Sequence, residues 1–364
     1  MSYIFFSESS INIGGQELQA LQQMQALNRS GYQTILLCKP NSAILLRAQS
    51  AGLESVSIDF RNALHLPSIL KLVKLIFQFR PIAFLSHGSR DALVAVIAVN
   101  LARCMGISAA AVFRIKTFQH GYPLSIAYNY LFSKTLTPSH YLRDKLLLNQ
   151  WIHPSQVETL YPGIDFATLD SQLDQLPSQV QSWLDTHTGP VISHGAILRG
   201  EKGHSTILKA LVLVRKVFPN VRYLIAGEGQ DKPLLEAEIA ALGLGENVLL
   251  TGTLEKIAPL LKKSDLAVLP SLVEPLGMFQ IEAQYLEVPT IASDVGGIPE
   301  TMLHQKTGLM VEPDKVEQWA NAIIWILSNP ELAKQMAKAG KKMVIEKFSL
   351  HTNTNNLIRL FEQN

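Results

Sequence analysis

Apolar residues in this chain come in two alternating patterns, short unbroken runs and helically spaced sets. The runs at 3–7, 34–38, 54–58, 83–86 and 109–115 read as strands. Between them, 16–30, 42–50, 67–79 and 91–105 place apolar side chains every three or four positions, as Leu18, Leu21, Met24 and Leu27 do, and read as helices. Gly31 closes the first of these. Residues 123–133 and 139–149 read as helical, with Pro138 between them. The stretch 165–188 is rich in Gln, Asp, Ser and Pro and carries one helical turn near 180–184. The alternation then restarts. Strands are expected at 191–194, 221–226, 248–251, 266–270 and 290–292, and helices at 204–217, 232–242, 257–263, 277–286, 315–327 and 330–347.

Strands alternating with helices build βαβ units on a parallel sheet. Two such series joined by a connector predict an α/β protein of two facing doubly wound, Rossmann-like domains with an interdomain cleft. The expected bounds are 1–165, a connector over 166–188, and 189–347, with the C-terminal helix 348–364 packing back on the first domain. In such sheets ligands bind in the loops at the carboxyl ends of strands.

Composition narrows the class. A chain of 364 residues that is 47% hydrophobic and 17% charged can bury two cores and is not disordered. Two cysteines exclude a disulfide framework and a Cys-rich zinc site, and Cys38 and Cys104 both read as buried, reduced thiols. No basic, apolar leader pattern and no membrane-length apolar run occurs, so a cytoplasmic location is expected.

Charge is uneven. Residues 1–165 hold 14 Lys+Arg and 8 Asp+Glu, a net of +6, and the remainder holds 18 and 22, a net of −4. The first half therefore calls for an anionic partner. No aromatic–basic recognition module is present, so nucleic acid is not the expected one. A phosphorylated or lipid-linked acceptor and an anionic membrane surface remain. The stretch 67–80, with Lys71, Lys74 and Arg80 among many apolar residues, reads either as a buried crossover helix or as a segment docked on an anionic leaflet.

Four motifs sit at expected strand ends. Gly14-Gly15-Gln16-Glu17 can bring backbone amides and a helix N-terminus to an anion, or can be a tight turn. Leu198-Arg199-Gly200-Glu201-Lys202-Gly203-His204 places two cations after a strand, suited to a diphosphate or to a solvated loop. Glu274-Pro275-Leu276-Gly277-Met278-Phe279-Gln280-Ile281-Glu282 carries one carboxylate in a loop and one inside an apolar helix, where a charge needs a partner: a sugar hydroxyl pair or a structural cation. Asp294-Val295-Gly296-Gly297-Ile298-Pro299-Glu300 adds a second flexible loop. Two histidines, His87 and His120, also follow strands and can orient or deprotonate an acceptor hydroxyl, or serve structure alone. No Asp-x-Asp occurs, so no metal and no separate cofactor is expected, and cations with helix termini must take a metal's place at a diphosphate.

The order of these motifs, with Tyr161-Pro162-Gly163-Ile164-Asp165 and Ala226-Gly227-Glu228-Gly229, resembles the family 4 retaining glycosyltransferases of the GT-B fold. The likeness runs over nearly the whole chain and is strongest in 190–347. The Leu-Arg-Gly-Glu-Lys-Gly-His form looks most like bacterial lipopolysaccharide and surface polysaccharide transferases. The resemblance implies a nucleotide diphosphate sugar as donor. It places Gly14 and Gly15 beside the diphosphate, Lys202 on the leaving phosphate, Glu282 on the ribose hydroxyls and Glu274 on the donor sugar. The amides around Gly277, Met278 and Phe279 also face the phosphates. His120 matches the family's cleft histidine, which makes His120, Lys202 and Glu274 the expected catalytic set, with His87 and His120 on the acceptor side. One position departs: members carry Gly-Arg-Leu after the strand, whereas this chain reads Gly195-Ala196-Ile197-Leu198, leaving Arg199 as the nearest cation.

The expected reaction is sugar transfer to a glycan or lipid-linked hydroxyl with retained anomeric configuration, at the inner face of the membrane. The competing readings are transfer to a soluble sugar or sugar phosphate, a nucleotide-sugar epimerase, and a non-catalytic nucleotide-sugar-binding protein.

Overall fold

In the computed structural model the chain divides into two compact units, Met1–Asp165 with Phe348–Asn364, and Phe166–Lys347. The structure describes residues 2–12, 14–108, 110–118, 125–171 and 175–363.

The first unit is built on seven strands: β1 (Tyr3–Glu8), β2 (Gln33–Cys38), β3 (Ser55–Ser57), β4 (Ala83–Ser86), β5 (Ala111–Ile115), β6 (Lys134–Thr137) and β7 (Val157–Thr159). Their order is β3-β2-β1-β4-β5-β6-β7, and every neighbouring pair is parallel. The chain steps outward from β1 to β3, then returns to the other side of β1. Right-handed crossovers therefore put the helices before and after the reversal on opposite faces. Helices Gly15–Arg29 and Ala43–Ser50 cover one face; Leu66–Phe79, Ser89–Cys104 and the wide turn Ala127–Leu131 cover the other. Along β1, Ile4 and Phe6 enter the first core and Phe5 the second. A strand buried on both faces reads as a continuous apolar run, which is how it appears in the sequence.

Helix Leu350–Glu362 completes this unit. Its Leu357, Leu360 and Phe361 join the core beside β5, with the Phe361 and Phe113 rings 5.6 Å apart. Backbone bonds fix its entry: Leu350 N donates to the Ile164 carbonyl at 2.9 Å, and Ile164 N to the Phe348 carbonyl at 2.8 Å. The Ser349 hydroxyl accepts from Thr352 N at the N-cap.

The second unit has six strands: β8 (Val191–Gly195), β9 (Arg222–Ala226), β10 (Val248–Gly252), β11 (Leu266–Leu269), β12 (Thr290–Ser293) and β13 (Leu309–Val311). Their order is β10-β9-β8-β11-β12-β13, again all parallel, with the reversal between β8 and β11. Helices His204–Val214 and Val316–Ser328 pack on one face through Ile207, Leu211, Trp319 and Ile323. Helix Met278–Tyr285 presents Phe279 and Ala283 to the other.

The doubly wound α/β class expected from the pattern is the class observed. The structure departs from the pattern locally. Strands β6, β7 and β13 were not among the expected ones: they are short and partly polar, and their pairing is fixed by neighbours in the sheet. The stretch 166–188 is not a free connector. It folds as helices Phe166–Ser171 and Ser178–Thr186, with Leu176 and Val180 buried against Leu224 and Leu260, and Phe166 stacked on Tyr285 at 4.1 Å. Its few apolar residues are enough once a partner surface exists. Of the helix expected over 123–133, residues 125–131 are helical in part as a π-turn, and 123–124 lie outside the described residues. Cys38 is buried, but Cys104 is exposed, because it ends helix Ser89–Cys104 on the outward side. Among the described residues no helix is long and apolar enough to cross a membrane.

Candidate functional site

Because all strands of the second sheet run parallel, the loops after β8, β9, β10, β11 and β12 meet on one edge. The edge is richest at the reversal between β8 and β11, where ligands of open α/β sheets bind. A pocket of about 460 Å³ lies there. Its walls come from Gly195–Ile197 after β8, Ala226–Glu228 after β9, Thr253 and Leu254 after β10, and Met278, Phe279 and Glu282 of one helix. It is largely apolar, with few polar groups, the usual character of a site for a planar organic ligand.

Gly277 caps the helix Met278–Tyr285 with φ at +97°, a left-handed conformation that glycine adopts without strain. Four residues into the helix, the Glu282 carboxylate faces the pocket and has no hydrogen-bond or ionic partner among the described residues. Burial alone pushes its pKa up, to about 7. A half-charged, unpartnered carboxylate on a pocket wall is an acceptor waiting for donors, and a pair of ribose hydroxyls would supply two.

Lys202 and Glu274 are brought together. The Lys202 Nζ donates to Glu274 Oε2 at 2.8 Å, and the Ser271 hydroxyl reaches the same oxygen at 3.2 Å. Both side chains are largely sheltered, 18% and 13% exposed. The Lys202 turn is held from below. Gly203 has φ of +71°, and a Cβ there would strike the Pro270 carbonyl. Leu272 N donates to the Glu201 carbonyl at 2.8 Å, and Gly297 N to the Glu274 carbonyl at 3.0 Å. The Gly296-Gly297 loop is thus a backbone brace for Glu274. Arg199 is placed otherwise: its guanidinium lies 3.4 Å from Glu201, half exposed and outside the pocket wall. Ala196 and Ile197, which follow Gly195 after β8, line the pocket as apolar wall.

Under Lys202 two buried imidazoles, His194 and His204, stack with centroids 4.4 Å apart. His194 Nδ1 lies 2.8 Å from the Tyr223 hydroxyl. Burial holds His204 down to about 4 and His194 well below its ordinary value, with the Lys202 charge adding to both effects. Both are therefore neutral supports beneath a cation. His194 had no signal in the sequence, where it ends an unremarkable apolar run.

The first unit has its own polar edge. Gly14 N donates to Glu17 Oε2 at 2.8 Å, and Gly14 and Gly15 are exposed at the start of helix Gly15–Arg29. Gln16 Nε2 donates to Glu8 Oε2 at 3.2 Å and to the His87 carbonyl at 3.3 Å, and Gln16 Oε1 accepts from the Thr117 hydroxyl at 3.0 Å. Gln16 thus joins the ends of β1, β4 and β5. His87 is buried and stacks on Phe6, and burial lowers it to about 4. Its Nδ1 has no partner among the described residues. The imidazole of His87 is therefore neutral and turned inward, toward a cavity of about 30 Å³ beside Thr117 and Pro138. His120 lies outside the described residues.

Beneath that edge two carboxylates escaped the sequence reading. Glu8 and Asp91 are both buried, and Asp91 Oδ2 accepts from the Ser7 hydroxyl at 2.8 Å and from Gly88 N at 3.2 Å. Burial, and then the Glu8 charge, push Asp91 up to about 7. The only available signal was position: Glu8 ends the central strand, and Asp91 is the third residue of a helix that opens after a glycine. Among the described residues no three His, Cys, Asp or Glu side chains converge as a metal site.

Residues 177–343 match the family model of group 1 glycosyl transferases, nearly the whole of the second unit. Among curated relatives, the alpha-D-kanosaminyltransferase of Streptomyces kanamyceticus is 29% identical over 176 residues. That match takes in 48% of this chain and 46% of the relative, so this chain spans less than half of that protein's length in the comparison. Among solved structures, a glycosyltransferase from Rickettsia africae ESF-5 superposes with a TM-score of 0.85 at 20% identity, over 100% of this chain and 98% of that one. Anabaena Alr3699/HepE, solved in complex with UDP, superposes with a TM-score of 0.83 at 17% identity, over the whole of both chains. The fold is the GT-B fold of these glycosyltransferases.

Proposed function

We propose that this chain, which carries a group 1 glycosyl transferase match over residues 177–343, is a retaining glycosyltransferase that uses a nucleotide diphosphate sugar as donor. The acceptor is a hydroxyl of a glycan or lipid-linked glycan, and the setting is lipopolysaccharide or surface polysaccharide assembly on the inner face of a membrane. The observation that carries the reading is the unpartnered Glu282 carboxylate on the wall of a mostly apolar pocket at the strand reversal. Complexes of a protein of the same fold with UDP support a uridine nucleotide as the first donor to try.

In this reading the base and ribose occupy the pocket, with both ribose hydroxyls donating to Glu282. The diphosphate lies at the amides of Gly277–Phe279, where the helix N-terminus adds partial positive charge. Lys202 meets the leaving phosphate, and the other end of the pair, Glu274, accepts from hydroxyls of the sugar. The bond between the anomeric carbon and the diphosphate oxygen breaks while the acceptor oxygen bonds to the same face. The acceptor proton passes to the departing phosphate oxygen. The developing diphosphate charge falls on Lys202 and the helix N-terminus, which do for it what a metal ion does elsewhere. Gly14 and Gly15 are assigned to the diphosphate, and His87 and His120 to the acceptor side, where His120 orients the attacking hydroxyl. Arg199, tied to Glu201, is assigned only to the outer diphosphate field.

The test is a panel of UDP-, GDP- and ADP-sugars, read by thermal shift and by slow release of nucleoside diphosphate. One donor should stabilise the protein, and Glu282→Ala and Lys202→Ala should each abolish that shift. Stabilisation by no donor would overturn the site assignment. Turnover of a donor to an isomer without acceptor would make the protein an epimerase instead.

A further inference from the structure

The strands of the first sheet are parallel, so every crossover helix ends beside the amino end of the next strand. Helix Leu66–Phe79 ends before β4, Ser89–Cys104 before β5, the turn Ala127–Leu131 before β6, and His140–Leu147 before β7. Their last residues therefore gather on one rim, the edge opposite the polar loops of this unit.

That rim is apolar and open to solvent. Ile126 is 71% exposed, Tyr130 80%, Leu148 74% and Trp151 80%. These four come from two segments clasped by one side chain: Asn129 Nδ2 donates to the Trp151 carbonyl at 2.7 Å, and His153 N donates to Asn129 Oδ1 at 2.9 Å. The cluster is held in place while its four side chains stay mostly exposed among the described residues. Phe77, Leu101 and Met105, exposed at the ends of the neighbouring helices, extend it. Isolated exposed apolar residues are ordinary, but a fixed group of large ones marks a contact surface.

The charge says what the contact is. Residues 59–158 contain eleven Lys and Arg and four acidic residues, Asp59, Asp91, Asp144 and Glu158, of which Asp59 pairs with Arg61 and Glu158 with Lys134. Asp91 is buried, and Asp144 lies 3.1 Å from Arg143. Arg80, Arg103 and Lys145 stand at or near the helix ends that form the rim. Exposed Trp and Tyr with aliphatic neighbours, flanked by cations and short of free carboxylates, is the composition that settles at the headgroup level of an anionic bilayer. We infer that this rim docks the protein on an anionic membrane, with Trp151, Tyr130, Leu148 and Ile126 entering the interface and Arg80, Arg103 and Lys145 meeting the headgroups.

The inference names the contact for the membrane setting proposed above, yet it needs no transfer activity and is tested apart from it. The full chain is floated with phosphatidylcholine vesicles and with vesicles that also contain phosphatidylglycerol, at low and high salt. The protein is expected to float with the anionic vesicles, less so as salt rises, and weakly with the neutral ones. Trp151→Ser combined with Leu148→Ser should reduce flotation about tenfold or more, since each side chain loses apolar burial in the interface. The same variant should keep the melting temperature and the nucleotide-sugar thermal shift of the parent. Arg80→Glu with Arg103→Glu should weaken binding to anionic vesicles and leave the neutral-vesicle value where it was. Equal flotation of parent and Trp151/Leu148 variant would overturn the inference, as would no flotation on anionic vesicles. A Trp151-dependent fluorescence shift with soluble oligosaccharide but none with vesicles would overturn it in favour of a glycan platform.

Discussion

The ammonium of Lys202 and the carboxylate of Glu274 lie 2.8 Å apart, though the two residues are separated by 72 positions and belong to loops after different strands. A donor phosphate would therefore have to share a cation already engaged. Lys202→Ala is expected to weaken nucleoside diphosphate binding about 10- to 100-fold, the worth of one charge-assisted bond. It should also cost about 1–3 kcal/mol of stability by leaving a sheltered carboxylate unpaired. Glu274→Gln keeps an oxygen for Lys202, so it should unfold within about 1 kcal/mol of the parent while turnover falls more than donor affinity. Calorimetric titration with UDP and urea denaturation separate these outcomes.

Glu282 should oppose stability and binding to each other. Burial raises its pKa to about 7, so in the folded protein it holds a proton that the unfolded chain has already released above about 4.5. Its contribution therefore falls as pH rises from about 4.5 through 7. Glu282→Gln is expected to melt higher than the parent at pH 8 and to lose that part of the pH dependence. If Glu282 holds the ribose as its carboxylate, as proposed, nucleotide binding should strengthen from pH 5 to 7 in the parent and be about tenfold or more weaker in the variant. Melting curves and UDP titrations across that range would disprove this if both quantities moved in the same direction.

His204 has the reverse sign. Burial lowers its pKa to about 4 from an ordinary 6.5, so the unfolded chain takes up a proton in that window that the folded chain refuses. The stability it lends is complete above about 6.5 and drains away as pH falls toward 4, by up to about 3 kcal/mol. His204→Leu should flatten the acid limb of the stability profile relative to the parent. Taking the difference between the two proteins removes the opposing slopes of Asp91 and Glu282.

Gly203 is the position where backbone shape is least negotiable. Its φ of +71° and its approach to the Pro270 carbonyl leave no room for a side chain. Gly203→Ala should cost about 2 kcal/mol or more and should abolish the donor thermal shift, because the turn that carries Lys202 must move. A variant that melts low but still responds fully to the donor would show that the turn is structural only.

Much of the second unit could be read from the chain. Lys202, Glu274, Gly277 and Glu282 lie in short motifs at strand ends, and a parallel sheet brings all strand ends to one edge without further information. Their pairing was not readable, because the 2.8 Å bond between Lys202 and Glu274 depends on which loops become neighbours. The same limit hid the network of Glu8, Gln16, His87, Asp91 and Thr117, five residues from four separate stretches of the first unit. His87 had the expected place after a strand, but its neutral, inward-turned imidazole follows from packing on Phe6. Strands β6, β7 and β13 escaped because three or four residues carry too little period to be told from loop.

The return of helix Leu350–Glu362 to the first unit has a consequence in time. On the ribosome the first 165 residues emerge before any of Phe166–Lys347, yet Leu357, Leu360 and Phe361 belong to their core. At about 5–20 residues per second, the second unit takes roughly 10–40 s to synthesise. For that interval the nascent first unit presents an open apolar groove where the last helix will sit. The unit cannot close until that helix has been made, so a nascent chain that has not yet exposed residues 350–362 would be a substrate for chaperones, while the second unit is already able to close.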